Sequence, residues 1–388
     1  MQITTLPPLS LYIHIPWCIK KCPYCDFNSH PKREDDLPEE SYIKRLITDL
    51  KLELENIAKK DKENTRALNS IFIGGGTPSL FSPSSIDNLL NQIQELIPFK
   101  GNIEITLEAN PSTFEYQRFI DYKQAGVNRL SIGIQSFNNH KLTSLGRVHD
   151  SQEAFKAIEI AHQSGFNSFN IDIMYGLPKQ SENEALADLK QAIDLKPPHL
   201  SWYQLTLEPN TLFHAKPPQL PTDEAIWQMQ LTGQQLLENH GLNQYEISAY
   251  SQDNHQTKHN SNYWQFGDYI GIGAGAHGKI TSIKQNSIAR RWKLKHPKAY
   301  LDPKQNLLAG SQIIAPKDLP FEFMMNALRL TKGVPKEYFT ERTGLSLNSI
   351  DNILTQLQQQ GLLSDHSDRI CTSFKGMQFL NSLLEKFI

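Results

Sequence analysis

The segment LYIHIPWCIKKCPYCDFNSH, Leu11 to His30, decides the fold class of this chain. Its first residues alternate bulky apolar side chains with Tyr12 and His14, the pattern of a β-strand that ends at Pro16. Directly after it, Cys18, Cys22 and Cys25 stand in a CxxxCxxC spacing. A loop this short wraps three thiolates around one small inorganic object. Structural zinc takes four ligands, and a bacterial-type ferredoxin run supplies four cysteines, whereas only three are local here. Two readings follow. One is a zinc knuckle completed by His14, His30 or the distant Cys371. The other is a cubane cluster with three irons held by protein and one left open to a small ligand bearing an amine and a carboxylate. With no other cysteine in 388 residues, a disulfide scaffold is excluded, and clustered thiols point to a reducing compartment.

Outward from this segment, β-like stretches recur at Ser70–Gly74, Asn102–Glu108, Arg129–Gln135, Ser168–Tyr175 and Leu200–Glu208, making six with Leu11–Pro16. The gaps between them hold helical patterns. Ile43, Leu46, Ile47, Leu50, Leu54 and Ile57 form one apolar stripe, and Ile86, Leu89, Leu90, Ile93, Leu96 and Ile97 form another. Ser82 and Pro83 supply an N-cap and a first-turn proline, and Pro98 closes that helix. Weaker patterns surround Phe119, Phe155–Ile158, Leu186–Ile193 and Ile226–Leu237. Strand alternating with helix predicts an α/β fold with parallel strands and crossover helices. Six repeats fall short of the eight of a closed barrel, which leaves an open, partial barrel or a doubly wound sheet. Chemistry in either gathers at the C-terminal ends of the strands.

Texture changes along the chain mark three units. Residues 1–242 carry the strand and helix alternation. Residues 243–320 hold shorter β-like pieces, the glycine-rich GIGAGAHG and a basic run, with eight Lys/Arg against the single acid Asp302 between Lys279 and Lys304. Residues 321–388 read as helix, turn, helix, short hairpin and last helix, a winged-helix pattern with turns at Thr343-Gly344 and Gly361. The net charge of −2, and a tail with five basic and six acidic residues from Val334 onward, argue against nucleic-acid binding. No run of about eighteen apolar residues occurs, and MQITTLPPLS has neither a basic nor an apolar signal region, so a cytoplasmic protein is expected.

The triad with Tyr24 before its last cysteine, placed after the first strand of a repeated βα pattern, resembles the radical S-adenosylmethionine superfamily. The resemblance implies a partial (βα)6 barrel and a [4Fe–4S] cluster on Cys18, Cys22 and Cys25, whose fourth iron takes the amino acid end of S-adenosylmethionine. It also implies roles around that co-substrate. Gly75, Gly76 and Thr77 of GGGTPS contact its methionine part and Glu108 holds its ribose, while Gln135, Arg147 and Asp172 surround it and Tyr12 touches its adenine side. His277 in GIGAGAHG is implied at the adenosine pocket. Taken singly, each of these is as well explained as a buried polar partner in a barrel. Polar groups recurring at strand ends in sequence order are harder to explain by packing.

Within the superfamily the chain is most similar to oxygen-independent coproporphyrinogen III oxidase and its HemW relatives. The oxidases carry another cysteine shortly after the triad, whereas here Cys25 is followed by Asp26, Phe27 and Asn28. Cys18 to Phe27 reproduces the CxxxCxYCDF of the HemW branch, and His259 to Trp264 reproduces its HNxxYW. The resemblance implies a heme chaperone, with His259 at the heme, respiratory-type heme enzymes as acceptors, and an electron donor. Imidazole is a good axial ligand, and Tyr263 and Trp264 suit a macrocycle face. Arg290, Arg291, Lys293 and Lys295 are candidates for pairing with propionates; a solvated face or contact with anionic lipid or an acidic partner are the other readings. The bland alternative for HNSNYW is core, an aromatic pair at a β edge beside a hydrogen-bonded histidine. The alternative activity is radical oxidative decarboxylation of coproporphyrinogen III.

Overall fold

Six strands run parallel in the computed structural model, which describes residues 1–32, 37–61, 65–113 and 116–388. They are β1 (Leu9–Ile15), β2 (Leu68–Gly75), β3 (Phe99–Ala109), β4 (Arg129–Gln135), β5 (Ser168–Tyr175) and β6 (His199–Gln204). Helices follow them as α1 (Glu39–Lys60), α2 (Pro83–Leu96), α3 (Tyr116–Gln124), α4 (Ser151–Gln163), α5 (Glu182–Asp194) and α6 (Asp223–Asn239). Each strand pairs with the next in the chain, from β1 through β6 without reversal. A doubly wound sheet would reverse at a switch point. The open, partial barrel is therefore the architecture.

Strand alternation explains which face goes where. Leu11, Ile13, Leu130, Ile132, Phe169 and Ile171 share one core with Ile43, Leu46, Ile86 and Leu89 of the helices. Each such side chain contributes about 1.5–3 kcal/mol when fully buried. The intervening residues turn inward and are polar: Ser10 meets Ser70 at 2.8 Å, Asn170 donates to Ser131 at 2.9 Å, and His199 lies 2.7 Å from Asn170 Oδ1. The predicted cap of α2 is present, with Ser82 Oγ accepting from the Ser85 N–H.

Beyond residue 242 the chain extends the same sheet at both edges. On one side β7 (Asn243–Glu246) and β8 (Ala249–Ser251) add antiparallel to β6. On the other, β9 (Asp268–Ile272) lies parallel to β1, and β10 (His277–Ser282), β11 (Ser287–Lys293) and β12 (Leu308–Ile313) continue antiparallel to make twelve strands. HNSNYW is no β edge; it lies in the short helix α7 (Lys258–Trp264). The tail folds as α8 (Leu319–Ala327), α9 (Glu337–Thr343) and α10 (Asp351–Gln359), with Val334–Pro335 paired to Arg369–Ile370 as its small wing. Gly344 ends α9 at φ 69°, the left-handed conformation that favours glycine. The tail's core includes Ile3, Tyr245, Phe266 and Ile288, so it packs on the sheet extension.

Two buried ionic nodes bind the extension to the barrel. Asp268 on β9 is fully buried and meets Arg66 Nη1 at 2.8 Å and Lys279 Nζ at 3.0 Å, and accepts from Thr281 N–H and Oγ. Lys293 on β11 reaches Asp49 at 2.5 Å and also Glu53, both on α1, and Arg291 takes Glu53 at 2.8 Å. Arg290 is bound to Glu322 of α8. Three of the four cations predicted to face propionates or solvent are thus structural, because acids from distant elements pack against them. Lys295 alone of the four has no ion pair among the described residues.

Removing Asp268 strands a buried ammonium and a guanidinium, so Asp268→Ala is expected to lower stability by about 3–5 kcal/mol, read from the urea midpoint. Burial alone would raise the Asp268 carboxyl, but Lys279 and Arg66 hold it below its ordinary value. Its contribution is then present above an unfolded value of about 3.9 and disappears as pH falls through the lower folded value. Acid titration of the variant should lack that component.

Candidate functional site

The cysteine loop leaves β1 at the mouth of the barrel, and the glycine turn after β2 holds it there. Gly76 N–H donates to the Ile15 carbonyl at 2.8 Å and Thr77 N–H to the Trp17 carbonyl at 2.7 Å. A Cβ on Gly76 would lie 2.3 Å from the Trp17 carbonyl oxygen, and one on Gly75, at φ +119°, would lie 2.5 Å from the His14 ring. Only glycine permits this approach.

Below the turn is a cavity of about 170 Å³. Cys18, Cys22, Cys25, Gly75, Gly76, Thr77, Glu108, Gln135, Arg147 and Asp172 all line it, so ten of the thirteen residues that the resemblance assigns to cluster, co-substrate or heme converge from six loops and strand ends. Glu108 accepts from Gly75 N–H at 2.8 Å. Burial, with Asp172 nearby, pushes its carboxyl up to about 7 against that hydrogen bond. Burial also raises Asp172, opposed by donors on Asn170 (2.8 Å) and Ser131 (3.3 Å). Arg147 donates to the Gly133 carbonyl at 2.6 Å and lies 3.8 Å from Cys22 Sγ. Gln135 adopts φ 74° after an irregularity in the β4–β5 register, and its side-chain oxygen accepts from Tyr203 at 2.8 Å.

Ser131 and Tyr203 also line the cavity and were not singled out, and Tyr24 of the cysteine motif lines it with them. For Ser131 the signal was legible: RLSIGIQ alternates, and the residues in phase with Gln135 share its face. Tyr203 follows from the same rule in SWYQ only once the strand's phase is known.

The donor set fits a cluster bound by three thiols and completed by an exogenous ligand. All three cysteines are free. Burial pushes the Cys18 thiol up to about 11, and all three cysteines line the one cavity. Among the described residues, the candidates for a fourth zinc ligand are engaged elsewhere. His14 bonds to Tyr12 at 2.9 Å and to the Asn28 carbonyl at 2.9 Å, His30 bonds to Asn28 Oδ1 at 3.2 Å, and Cys371 is buried in the tail against the Thr331 carbonyl.

Tyr12 and His259 stand apart from this cavity. Tyr12 faces a second cavity of about 690 Å³, between the cysteine loop and the β9–β11 extension, which Tyr263 and Trp264 also line. His259 lies behind that wall, 1% exposed. Its Nδ1 is 3.0 Å from Ser70 Oγ, its Nε2 is 2.9 Å from the Tyr263 hydroxyl, and its N–H donates to Glu104. Burial, with the charge of Arg129, lowers its imidazole to about 3, so the ring is neutral. The i, i+4 spacing on α7 brings His259 and Tyr263 together.

Residues 12–192 match the Radical SAM superfamily, and residues 314–379 match the HemN C-terminal domain. The chain is 52% identical over 383 residues to the heme chaperone HemW of Haemophilus influenzae, covering 99% of this chain and 98% of that one. It is 49% identical over 383 residues to the heme chaperone HemW of Escherichia coli, covering 99% of each. Its fold is similar to that of Escherichia coli coproporphyrinogen III oxidase, a radical SAM enzyme, with a TM-score of 0.79 at 23% identity over 98% of this chain and 90% of that one.

Gly76→Ala is expected to push the Trp17–Cys18 backbone outward, costing about 1–3 kcal/mol as overpacking does. Thermal unfolding should fall accordingly, and the rate of Cys18 alkylation should rise. An unchanged alkylation rate would detach the glycine turn from the cysteine loop.

Proposed function

This chain belongs to the HemW family within the radical S-adenosylmethionine superfamily, and we propose that it is a heme chaperone that binds heme and passes it to heme-dependent acceptor proteins. Cys18, Cys22 and Cys25 would hold a [4Fe–4S] cluster, which supplies one-electron chemistry to a bound sulfonium when an electron donor reduces it. Gly75, Gly76 and Thr77 present backbone to the methionine end of S-adenosylmethionine, and Glu108 accepts hydrogen bonds from its ribose. Arg147 brings a fixed positive charge beside Cys22, and Gln135 and Asp172 orient the remaining polar edge. Among the described residues no helix is long and apolar enough to cross a membrane.

One observation carries the heme reading. Tyr263 and Trp264 of HNSNYW open onto a cavity of about 690 Å³ beside the cysteine loop, within the ~300–1,000 Å³ usual for bound small molecules. Aromatic walls suit a macrocycle. His259 contributes through Tyr263: both its ring nitrogens are occupied, and its bond to the phenol sets the ring against the cavity.

Hemin titration of the anaerobically purified chain is expected to give a saturable Soret change. His259→Ala and Tyr263→Phe should each weaken it, and the double variant should lose less than the sum, since the two side chains act as one unit. Absence of saturable binding by the wild-type chain would sink the proposal. So would conversion of coproporphyrinogen III with dithionite and S-adenosylmethionine, the activity of the oxidases.

Glu108 makes S-adenosylmethionine binding depend on pH. Its carboxylate is the acceptor, and it protonates as pH falls through about 7. Affinity should therefore drop by about tenfold per pH unit below that value. Glu108→Gln should bind more weakly, with that dependence gone.

A further inference from the structure

The second cavity holds more than aromatic walls. His14, His30 and His277 line it, and they differ in what their ring nitrogens do. Both nitrogens of His14 are engaged, and His30 is held by one of its two, Nε2, on Asn28 Oδ1, with its ring edge-on to that of His296 at 5.5 Å. His277 is exposed, and neither of its ring nitrogens has a hydrogen-bond partner among the described residues. Its backbone is fixed nonetheless. It opens β10 after the GIGAGA turn, with Gly271 packed so closely that a Cβ there would sit 1.9 Å from the His277 carbonyl oxygen. Its ring lies parallel to that of Trp292, its register partner on β11, at 6.4 Å and 24°. The imidazole is therefore oriented by stacking, with its lone pair uncommitted. Burial, then the charges of Lys295 and Arg290, lowers its pKa from 6.5, which keeps that lone pair free of a proton.

The cations around the cavity divide in the same way. Lys279 and Arg290 are neutralised by Asp268 and Glu322. Among the described residues Lys295 has no acidic partner, and Lys21 donates only to the Phe27 carbonyl, at 3.0 Å. Both are exposed and both line the cavity, one from the extension and one from the cysteine loop. An uncommitted imidazole, an aromatic wall and two ammonium groups not paired with a carboxylate among the described residues match an iron porphyrin bearing two carboxylates.

We infer that His277 is the axial ligand through which this chain grips heme iron, and that Lys21 and Lys295 pair with the two propionates. The inference rests on the heme chaperone reading and adds the residues that perform the binding. The bond is a dative one from an imidazole nitrogen to iron, with no electron transfer. HNSNYW then builds the wall, and the iron is held from the opposite hairpin.

The test is titration of the full chain with three probes: hemin, hemin dimethyl ester and iron-free protoporphyrin IX. His277→Ala is expected to weaken hemin at least about tenfold and to alter the ferric spectrum, with added imidazole restoring it. Iron-free porphyrin should bind that variant as it binds wild type, which also shows that the cavity is folded. Lys21→Ala with Lys295→Ala should weaken hemin about tenfold and leave the dimethyl ester unaffected. If wild type binds hemin while His277→Ala keeps its affinity and spectrum, the ligand assignment falls and the chaperone reading stands. Loss of the ligand signature in His30→Ala or Tyr263→Phe, with His277→Ala unchanged, overturns it equally. Failure of wild type to bind any of the three probes removes the chaperone reading itself.

Discussion

The alternation of six parallel strands, apolar outward and polar inward, is the constraint on which the rest of the molecule depends. Helices α1 to α6 cover the outer face, so the hydrophobic core lies between strands and helices. The inner face is left for hydroxyls, amides and carboxyls, many of which pair across strands, as Ser10 does with Ser70 and Asn170 with Ser131 and His199. A lumen of this kind is costly if any group goes unpaired, since a buried orphan loses about 1–3 kcal/mol. At the strand ends the cysteine loop and the acidic groups meet.

Those acidic groups set the character of the site. Glu108 and Asp172 are both destabilised as anions by burial. Each is therefore a better host for a ligand with hydroxyl donors or positive charge than for water alone. S-adenosylmethionine has both, a ribose and a sulfonium. Arg147, 3.8 Å from Cys22 Sγ, and the three thiols line the same cavity, so a fixed cation stands among these groups. The glycine turn keeps the cysteine loop beside them, because side chains at positions 75 and 76 would collide with the His14 ring and the Trp17 backbone.

The sheet extension serves a second purpose. It carries β9 back to β1 and brings the 277–295 hairpin over the cysteine loop, with Asn28 bonded to the carbonyls of Ala274 and Lys295 at 2.8 and 2.7 Å. Ionic nodes at Asp268 and at Asp49 with Glu53 hold it there. Of the eight Lys/Arg between Lys279 and Lys304, Lys279, Arg291 and Lys293 are consumed in that role, and Arg290 in its pair with Glu322. What remains for a ligand is a small residue of free cations at one cavity mouth, which is a more selective device than a basic surface.

Much of this was legible in the chain itself. The spacing of Cys18, Cys22 and Cys25, the six alternating strands and the polar residues at their ends follow from local periodicity, which needs no knowledge of distant neighbours. The order of the sheet was open until β1 to β6 were seen to pair in sequence. The roles of the histidines and the basic run were hidden for another reason. Whether Lys293 is a ligand group or a strut depends on Asp49, 244 residues away, and whether His259 or His277 meets the cavity depends on Ser70, Tyr263 and Trp292 packing around them. Chain chemistry determines what a side chain is able to do; only the tertiary fold decides which of its atoms are left unpartnered, because partners are chosen by proximity in space.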